Sequence, residues 1–337
     1  MTATRVPVAA PDEPPPGPHV PRVVVFACNW CSYTAADLAG TTRLRMPAGF
    51  TVLRVMCSGR VDPLYILEAL ALGADAVLVT GCHPGDCHYS SGNVQARRRV
   101  DFVKQILDRL GLSGRLEMHH VSAAEAPRFQ QLMTSAVERI ERLGPSPLSA
   151  GCPVLPPNKR DAFCTVLRHI AGQLSVTPPE GTSIEEALVT EGFGEPEYDV
   201  DRCIGCGACA ASCPQHNIEI VDADGTRTIS RFHSRCVRCK TCEESCPVDA
   251  LRVVPRFDLA AFLSEERRPA LELPLVCCAR CGQPVAPRRQ IAQLGDAMND
   301  HAVPREDTML CAACQRRAHA AAMRRHMTAH RQAGGQT

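Results

Sequence analysis

Cysteine is the residue type that most constrains this chain. The sequence holds 20 cysteines in 337 residues, and most fall into three groups, at residues 28–87, 203–246 and 277–314. Disulfide frameworks are typical of short secreted chains, whereas tight cysteine runs in a chain of this length favour metal ligation. Cys152 and Cys164 stand outside the groups, and we interpret them as single small buried residues. The pattern predicts several metal centres.

The middle group repeats one motif. Its first copy has the spacing C-x2-C-x2-C-x3-C-P and consists of Cys203, Cys206, Cys209 and Cys213. The second copy has the same spacing and consists of Cys236, Cys239, Cys242 and Cys246. This spacing resembles that of bacterial two-cluster ferredoxins, in which the fourth cysteine of each motif ligates the other [4Fe–4S] cluster. We expect cluster one on Cys203, Cys206, Cys209 and Cys246. We expect cluster two on Cys236, Cys239, Cys242 and Cys213.

Other features of this region suit the same interpretation. Gly205 and Gly207 relieve the backbone of the first loop and let its N–H groups approach sulfur. Residues 217–221 and 250–254 follow the two motifs alike, and we expect them to pair as strands of a pseudo-symmetric α+β domain at 198–258. A pair of zinc sites is the alternative, and a duplicated four-cysteine run followed by proline argues against it.

Residues 22–143 alternate strand and helix patterns. Strands are predicted at 23–27, 51–56, 76–80 and 116–121, with helices at 34–39, 62–72, 93–110 and from a capping box at 122–125 to about residue 143. Such alternation predicts a parallel α/β sheet. The carboxyl ends of parallel strands share one edge, and five cysteines follow those ends. These are Cys28, Cys31, Cys57, Cys82 and Cys87.

Three blocks around these cysteines identify a family resemblance. Residues 26–33, 54–62 and 79–89 closely resemble the delta subunit of methyl-viologen-reducing hydrogenase, which is an iron–sulfur protein. The resemblance covers about residues 22–143. It implies a [2Fe–2S] cluster on four of the five cysteines. It also implies electron transfer between a hydrogenase or formate dehydrogenase and the flavoprotein of heterodisulfide reductase. The fused ferredoxin domain departs from the shortest family members and implies a longer relay or a different partner.

Three alternatives remain open at the N-terminal cysteines. Five thiols exceed the four that the cluster needs, and the sequence does not identify the spare one. His83 and His88 adjoin cysteines, so a mixed His/Cys centre is one alternative, against hydrogen bonding to the ligands or surface roles. Cys28 and Cys31 also resemble a dithiol redox motif at a helix start.

The third cysteine group predicts a small zinc-ribbon-like module at residues 275–330. Two CxxC pairs suit a tetrahedral site of four thiolates, and we favour zinc over rubredoxin-like iron because residues 282–310 lack aromatic side chains. The ligands are expected to be Cys278, Cys281, Cys311 and Cys314. Cys277 and His319 are weaker candidates, and a basic helix is predicted from residue 314 to 330.

The remaining sequence narrows the function. We interpret residues 1–21 as a disordered N-terminal segment. Residues 144–197 are interpreted as a connector that contains a helix at 161–174. With 37 basic and 36 acidic residues, the chain has no charge excess that favours nucleic acid. No apolar run is long enough to span a membrane, and no Gly-x-Gly-x-x-Gly turn indicates a dinucleotide or flavin site.

We therefore predict a cytoplasmic iron–sulfur electron-transfer subunit, which acts in an oxidoreductase complex without a substrate site of its own. The expected partners are a heterodisulfide-reductase-like flavoprotein and a hydrogenase or formate dehydrogenase. The alternatives are a thiol–disulfide redox enzyme using Cys28 and Cys31, and a redox-sensing regulator.

Overall fold

The structure, a computed structural model, describes residues 19–179, 181–185, 188–189, 192–264, 266–297 and 309–333. Most of the predicted disordered N-terminal segment, residues 1–18, lies outside the described residues. The chain forms two compact units, residues 1–177 and 178–337.

The first unit is built on a four-stranded parallel sheet in the order β2-β1-β3-β4. Its strands are β1 (Val23–Cys28), β2 (Phe50–Val55), β3 (Ala76–Gly81) and β4 (Leu116–His120). The helices are α1 (Ser32–Thr41), α2 (Pro63–Ala71), α3 (Gly92–Arg109), α4 (Ala126–Leu143) and α5 (Lys159–Leu174). The parallel α/β domain predicted from the sequence is confirmed.

Helices cover this sheet because its central strands are apolar. Every residue of β3 is buried. Phe129 and Met133 of α4 pack with Val25 and Leu78 in one core cluster. The N-terminus of α2 is fixed locally, since Asp62 accepts a hydrogen bond from the backbone N of Leu64 at 3.0 Å and Pro63 takes the first helical position.

The described residues of the second unit form three small sheets. Two-stranded pairs join β5 (Ser183–Ile184) to β10 (Phe257–Asp258), and β6 (Glu195–Tyr198) to β9 (Leu251–Val254). A four-stranded antiparallel sheet has the order β12-β11-β8-β7. Its strands are β7 (Ile218–Ala223), β8 (Thr226–Phe232), β11 (Arg267–Cys277) and β12 (Pro284–Pro287). The helices are α6 (Ala208–Ser212), α7 (Thr241–Glu244), α8 (Leu259–Ser264), α9 (Arg288–Ala297) and α10 (Ala312–Ala333).

The strand pairing predicted for the ferredoxin region is wrong. Residues 217–221 and 250–254 do not pair with each other: β7 pairs with β8, and β9 pairs with β6. The reason is local, because Asp224 and Gly225 both have positive φ (49° and 75°) and form a two-residue hairpin turn that gives β7 an adjacent partner.

One finding concerns membranes. Among the helices within the described ranges, none combines the length and the apolar character needed to cross a bilayer.

Candidate metal centres

Three thiols meet at the carboxyl edge of the first sheet. Cys28 ends β1, Cys31 precedes α1, and Cys82 follows β3. All three are buried and their sulfur atoms lie within 4.8 Å of one another, with 4.0 Å between those of Cys28 and Cys82. Parallel strands share this edge, so residues far apart in sequence converge there.

The side chains of the other two cysteines of this group, Cys57 and Cys87, lie close to Gly92, the first residue of α3. A Cβ atom at Gly92 would lie 2.3 Å from Sγ of Cys57 and 3.3 Å from Sγ of Cys87. At Gly59, a Cβ atom would lie 2.8 Å from the carbonyl oxygen of Gly92, so the two backbones approach closely. Neither glycine was predicted from the sequence. The sequence around each glycine gives little indication of its role, because that role depends on the close approach of the two backbones in the fold.

Hydrogen-bond donors around Cys28 favour its thiolate form. A hydrogen bond from the Cys31 thiol, with backbone N–H groups of Trp30 and Ser58, lowers the pKa of Cys28 to about 5. Donating that bond raises the pKa of Cys31, whereas burial raises the pKa of Cys57. Gly59 N also donates to Sγ of Cys57 at 3.4 Å. The Cys28 thiolate gives this edge one anionic sulfur donor, which suits a bound cation.

Polar side chains support the loop after β3. Buried Asn93 donates from Nδ2 to the carbonyl oxygens of Cys82 (3.2 Å) and His83 (2.7 Å). The Ser58 hydroxyl, also buried and next to Cys57, has no hydrogen-bond partner among the described residues. A buried hydroxyl of this kind can donate to the sulfur of a bound cluster.

The two histidines of this loop make other contacts. Nε2 of His83 lies 2.7 Å from Oε2 of Glu125, and the ring of His88 stacks on Trp30 with centroids 4.0 Å apart. Within the described residues, the metal-type group at this edge contains thiols alone.

The ferredoxin cysteines assigned to cluster one line a single cavity. They are Cys203, Cys206, Cys209 and Cys246. Burial raises the pKa of Cys203 and of Cys209, and the hydroxyl of Tyr198 donates to Sγ of Cys209 at 3.7 Å. The structure thus brings together a cysteine of the second motif and three of the first. This donor set in a largely apolar cavity suits an iron–sulfur cluster.

Cluster-two cysteines show the complementary arrangement. Burial and the neighbouring Cys236 and Cys213 raise the pKa of Cys242 to about 12, so the fourth cysteine of the first motif lies near the second. Backbone N of Asn217 donates to Sγ of Cys213 at 3.4 Å, just as N of Ala250 donates to Sγ of Cys246 at 3.2 Å. The fourth thiolate of each motif therefore receives an equivalent hydrogen bond.

The loops of the two cysteine motifs have the same backbone conformation, but only the first loop has glycines at its two positive-φ positions. Gly205 and Gly207 have φ of 69° and 84°, and their counterparts Arg238 and Lys240 have φ of 55° and 63°. A non-glycine residue in this region costs about 1 to 2 kcal/mol. The second loop keeps the conformation at that cost, which indicates that the conformation serves the ligand set.

Four thiols also converge in the C-terminal region. The sulfur atoms of Cys278, Cys281, Cys311 and Cys314 lie within 4.8 Å of one another, and those of Cys281 and Cys311 are 3.7 Å apart. A tetrahedron with metal–sulfur bonds of about 2.3 Å has edges of about 3.8 Å. The donor set therefore fits a single tetrahedral ion. Exposed Cys277 and His319 lie outside this group.

Backbone N–H groups favour the thiolate form of two of the four cysteines at this site. A hydrogen bond from the N–H of Cys311 lowers the pKa of Cys278 to about 6, and one from the N–H of Cys314 lowers the pKa of Cys311. Such N–H···S bonds are expected of cysteine metal knuckles.

Comparison with known proteins finds matches to the N-terminal thiol region and to the ferredoxin region. The family model of the methyl-viologen-reducing hydrogenase delta subunit matches residues 23–144, and that of the 4Fe-4S dicluster domain matches residues 202–250. The vhc iron-sulfur subunit of the F420-non-reducing hydrogenase of Methanococcus voltae is 46% identical over 129 residues, which are 38% of this chain and 90% of the relative. This chain belongs to the methyl-viologen-reducing hydrogenase delta subunit family.

Two further relatives define the extent of the match. The iron-sulfur subunit of the F420-non-reducing hydrogenase of Archaeoglobus profundus is 47% identical over 126 residues, 37% of this chain and 92% of the relative. One subunit of the ferredoxin:CoB-CoM heterodisulfide reductase of Methanosarcina mazei is 48% identical over 126 residues, 37% of this chain but 16% of the relative. The region matched by the delta subunit thus makes up most of the Archaeoglobus relative and a small part of the Methanosarcina relative. In this chain it is joined to a 4Fe-4S dicluster domain. The chain is an iron–sulfur protein of this family.

Proposed function

We propose that this protein relays electrons between a hydrogenase- or formate-dehydrogenase-type partner and a heterodisulfide-reductase-like flavoprotein. The observation that carries the proposal is the gathering of five thiols at one edge of the delta-subunit domain. These thiols belong to the same chain as a 4Fe-4S dicluster domain. The names of the relatives, which are subunits of a hydrogenase and of a heterodisulfide reductase, support both ends of the relay.

The chain's role is to hold three iron–sulfur clusters, which supply one-electron transfer. Four of the five N-terminal cysteines hold a [2Fe–2S] cluster in this proposal, with Cys28, Cys31 and Cys82 as the buried group and Cys57 and Cys87 as the pair beside Gly92. The ferredoxin cysteines hold two [4Fe–4S] clusters, and the fourth cysteine of each motif serves the other cluster. The C-terminal tetrathiolate holds Zn²⁺. The protein acts in the cytoplasm as part of an oxidoreductase complex.

A thiol–disulfide enzyme is the second candidate. The lowered pKa of Cys28 favours it, because a thiolate is the attacking species in thiol exchange. Against it, Cys28 and Cys31 are 1% and 4% exposed, which leaves little access for a disulfide substrate.

Oxygen-free purification of the full chain tests the relay. Iron, labile sulfide and electron paramagnetic resonance of the reduced protein should show both cluster types, and about ten irons per chain in total. Serine in place of each N-terminal cysteine in turn should remove the [2Fe–2S] signal in four variants and spare it in one. Cys152→Ser is the control. A holo-protein whose Cys28 and Cys31 alkylate readily, without a [2Fe–2S] signal, would favour the second candidate instead.

A further inference from the structure

One strand connects the ferredoxin sheet to the C-terminal tetrathiolate group. β11 pairs with β8 from Arg267, opposite Phe232, to Pro274, opposite Thr226. It then pairs with β12, ending at Cys277, and Cys278 follows at once. The tetrathiolate therefore sits at the end of a hairpin that is continuous with the ferredoxin sheet.

This hairpin packs on the loop that carries the first three cysteines of cluster one. A Cβ atom at Gly205 would lie 2.7 Å from Cδ1 of Leu273 in β11 and 2.8 Å from Cγ of Pro287 in β12. Gly205 lies between Cys203 and Cys206 in sequence. Its positive φ favours glycine, and this close contact leaves no room for a Cβ atom. The hairpin thus packs directly against the cysteine loop at this residue.

A second contact holds the hairpin on the same loop. Arg289, two residues beyond β12, donates to the carbonyl oxygen of Val200, three residues before Cys203. Arg227 of β8 donates to the carbonyl oxygen of Gly205 at 2.7 Å. The loop is therefore fixed from the sheet and from the end of the hairpin.

Within the described residues, the end of the hairpin near the cysteines has a short ladder and a small apolar core. β12 has four residues, two of which are the prolines Pro284 and Pro287, and proline donates no hydrogen bond to a ladder. Its described apolar cluster consists of buried Val276, Ile291 and Met309, with Val285 and Ala286 partly buried. Cores this small generally need a disulfide or a metal ion to be stable.

We infer that a Zn²⁺ ion on Cys278, Cys281, Cys311 and Cys314 locks the β11–β12 hairpin onto the Gly205 loop and shields cluster one from solvent. The ion is redox-silent, so its role is structural. The inference rests on the proposed function in one respect, the [4Fe–4S] cluster on Cys203, Cys206, Cys209 and Cys246. Solvent exposure is one of the factors that set cluster potentials, so the hairpin would also tune the relay.

The test uses oxygen-free, full-length protein and the variant Cys311→Ser. Cys277→Ser is the matched control, because Cys277 neighbours Cys278 but lies outside the tetrathiolate group. Wild type and control should hold about one zinc per chain, and Cys311→Ser should hold none. Amide hydrogen exchange of residues 203–209 should rise by about tenfold in Cys311→Ser, while exchange of residues 236–242 stays unchanged. One of the two [4Fe–4S] clusters should also be lost faster to an iron chelator.

Leu273→Ala separates the contact from the metal. This variant should keep its zinc and still show the faster exchange at residues 203–209, since it removes the side chain that covers Gly205. Wild type without zinc, or with iron in its place, would overturn the inference, as would zinc loss that leaves exchange of the loop unchanged. Absence of labile sulfide from wild type would instead sink the proposed relay, with zinc content and loop exchange still reporting on the hairpin.

Discussion

Gly92→Ala is the most direct probe of the N-terminal thiol group. Gly92 lies outside the left-handed region of φ, so alanine can adopt its backbone conformation without strain. The added methyl carbon would lie 2.3 Å from Sγ of Cys57 and 3.3 Å from Sγ of Cys87. The substitution therefore acts through steric contact with two of the five candidate ligands and keeps every cysteine in the chain.

The size of the effect follows from these distances. An ordinary van der Waals contact begins at 3.4 Å, so Cys57 and the methyl group must move apart by about 1.1 Å. A metal-binding constellation tolerates displacements of about 0.5 Å. We expect loss of the [2Fe–2S] cluster and a destabilisation of about 1 to 3 kcal/mol from overpacking. At about 2 to 4 °C for each kcal/mol, the fall in Tm of the first unit is measurable.

The assay is metal and sulfide analysis with electron paramagnetic resonance under oxygen-free conditions. Iron should fall from about ten to about eight per chain, and the [4Fe–4S] signals should remain. Gly40→Ala is the control, because a Cβ atom at Gly40 in α1 has nothing within 4 Å and alanine favours a helix interior by up to about 1 kcal/mol.

Full iron and an unchanged spectrum in Gly92→Ala would refute this reasoning. Such a result would mean either that Cys57 is the one cysteine of the five that is not a ligand, or that α3 moves as a body without disturbing the site. Serine variants of the two cysteines decide between these explanations.

Three further predictions concern local energetics. Lys240→Gly should raise the stability of the second unit by about 0.5 to 1 kcal/mol, because it relieves a residue with φ of 63°; thermal unfolding measures it. Gly225→Ala should lower stability by about 1 to 2 kcal/mol through backbone strain alone, since a Cβ atom there has open space; a Tm equal to that of wild type contradicts this. Burial raises the pKa of Glu117, but hydrogen bonds from His119 and Arg139 outweigh it and hold the pKa below 4.5. Its stabilising contribution is present above pH 4.5 and lost as the pH falls below it, so the Tm difference between wild type and Glu117→Gln should shrink in that range.

Local sequence predicted much of the fold and the candidate ligands. The alternation of strand and helix patterns at 23–143 was enough for the parallel sheet, because each element carries its own periodicity and caps, such as Asp62 and Pro63 at α2. The prediction that residues 217–221 pair with residues 250–254 was wrong for an equally local reason. Asp224 and Gly225 form a two-residue hairpin turn, and this turn outweighs the symmetry of the two cysteine motifs in choosing the partner of β7.

Motif spacing by itself determined which cysteines belong together in a loop, since a C-x2-C-x2-C run places its thiolates on one turn of chain whatever surrounds it. The ligand sets of the four metal centres stay predictions. Only the tertiary structure showed the approach of Gly59 to Gly92 that places Cys57 beside Cys87. It alone showed the β11–β12 hairpin over Gly205. Contacts of this kind join residues distant in the chain, and they depend on how packed elements meet rather than on the pattern of any one segment.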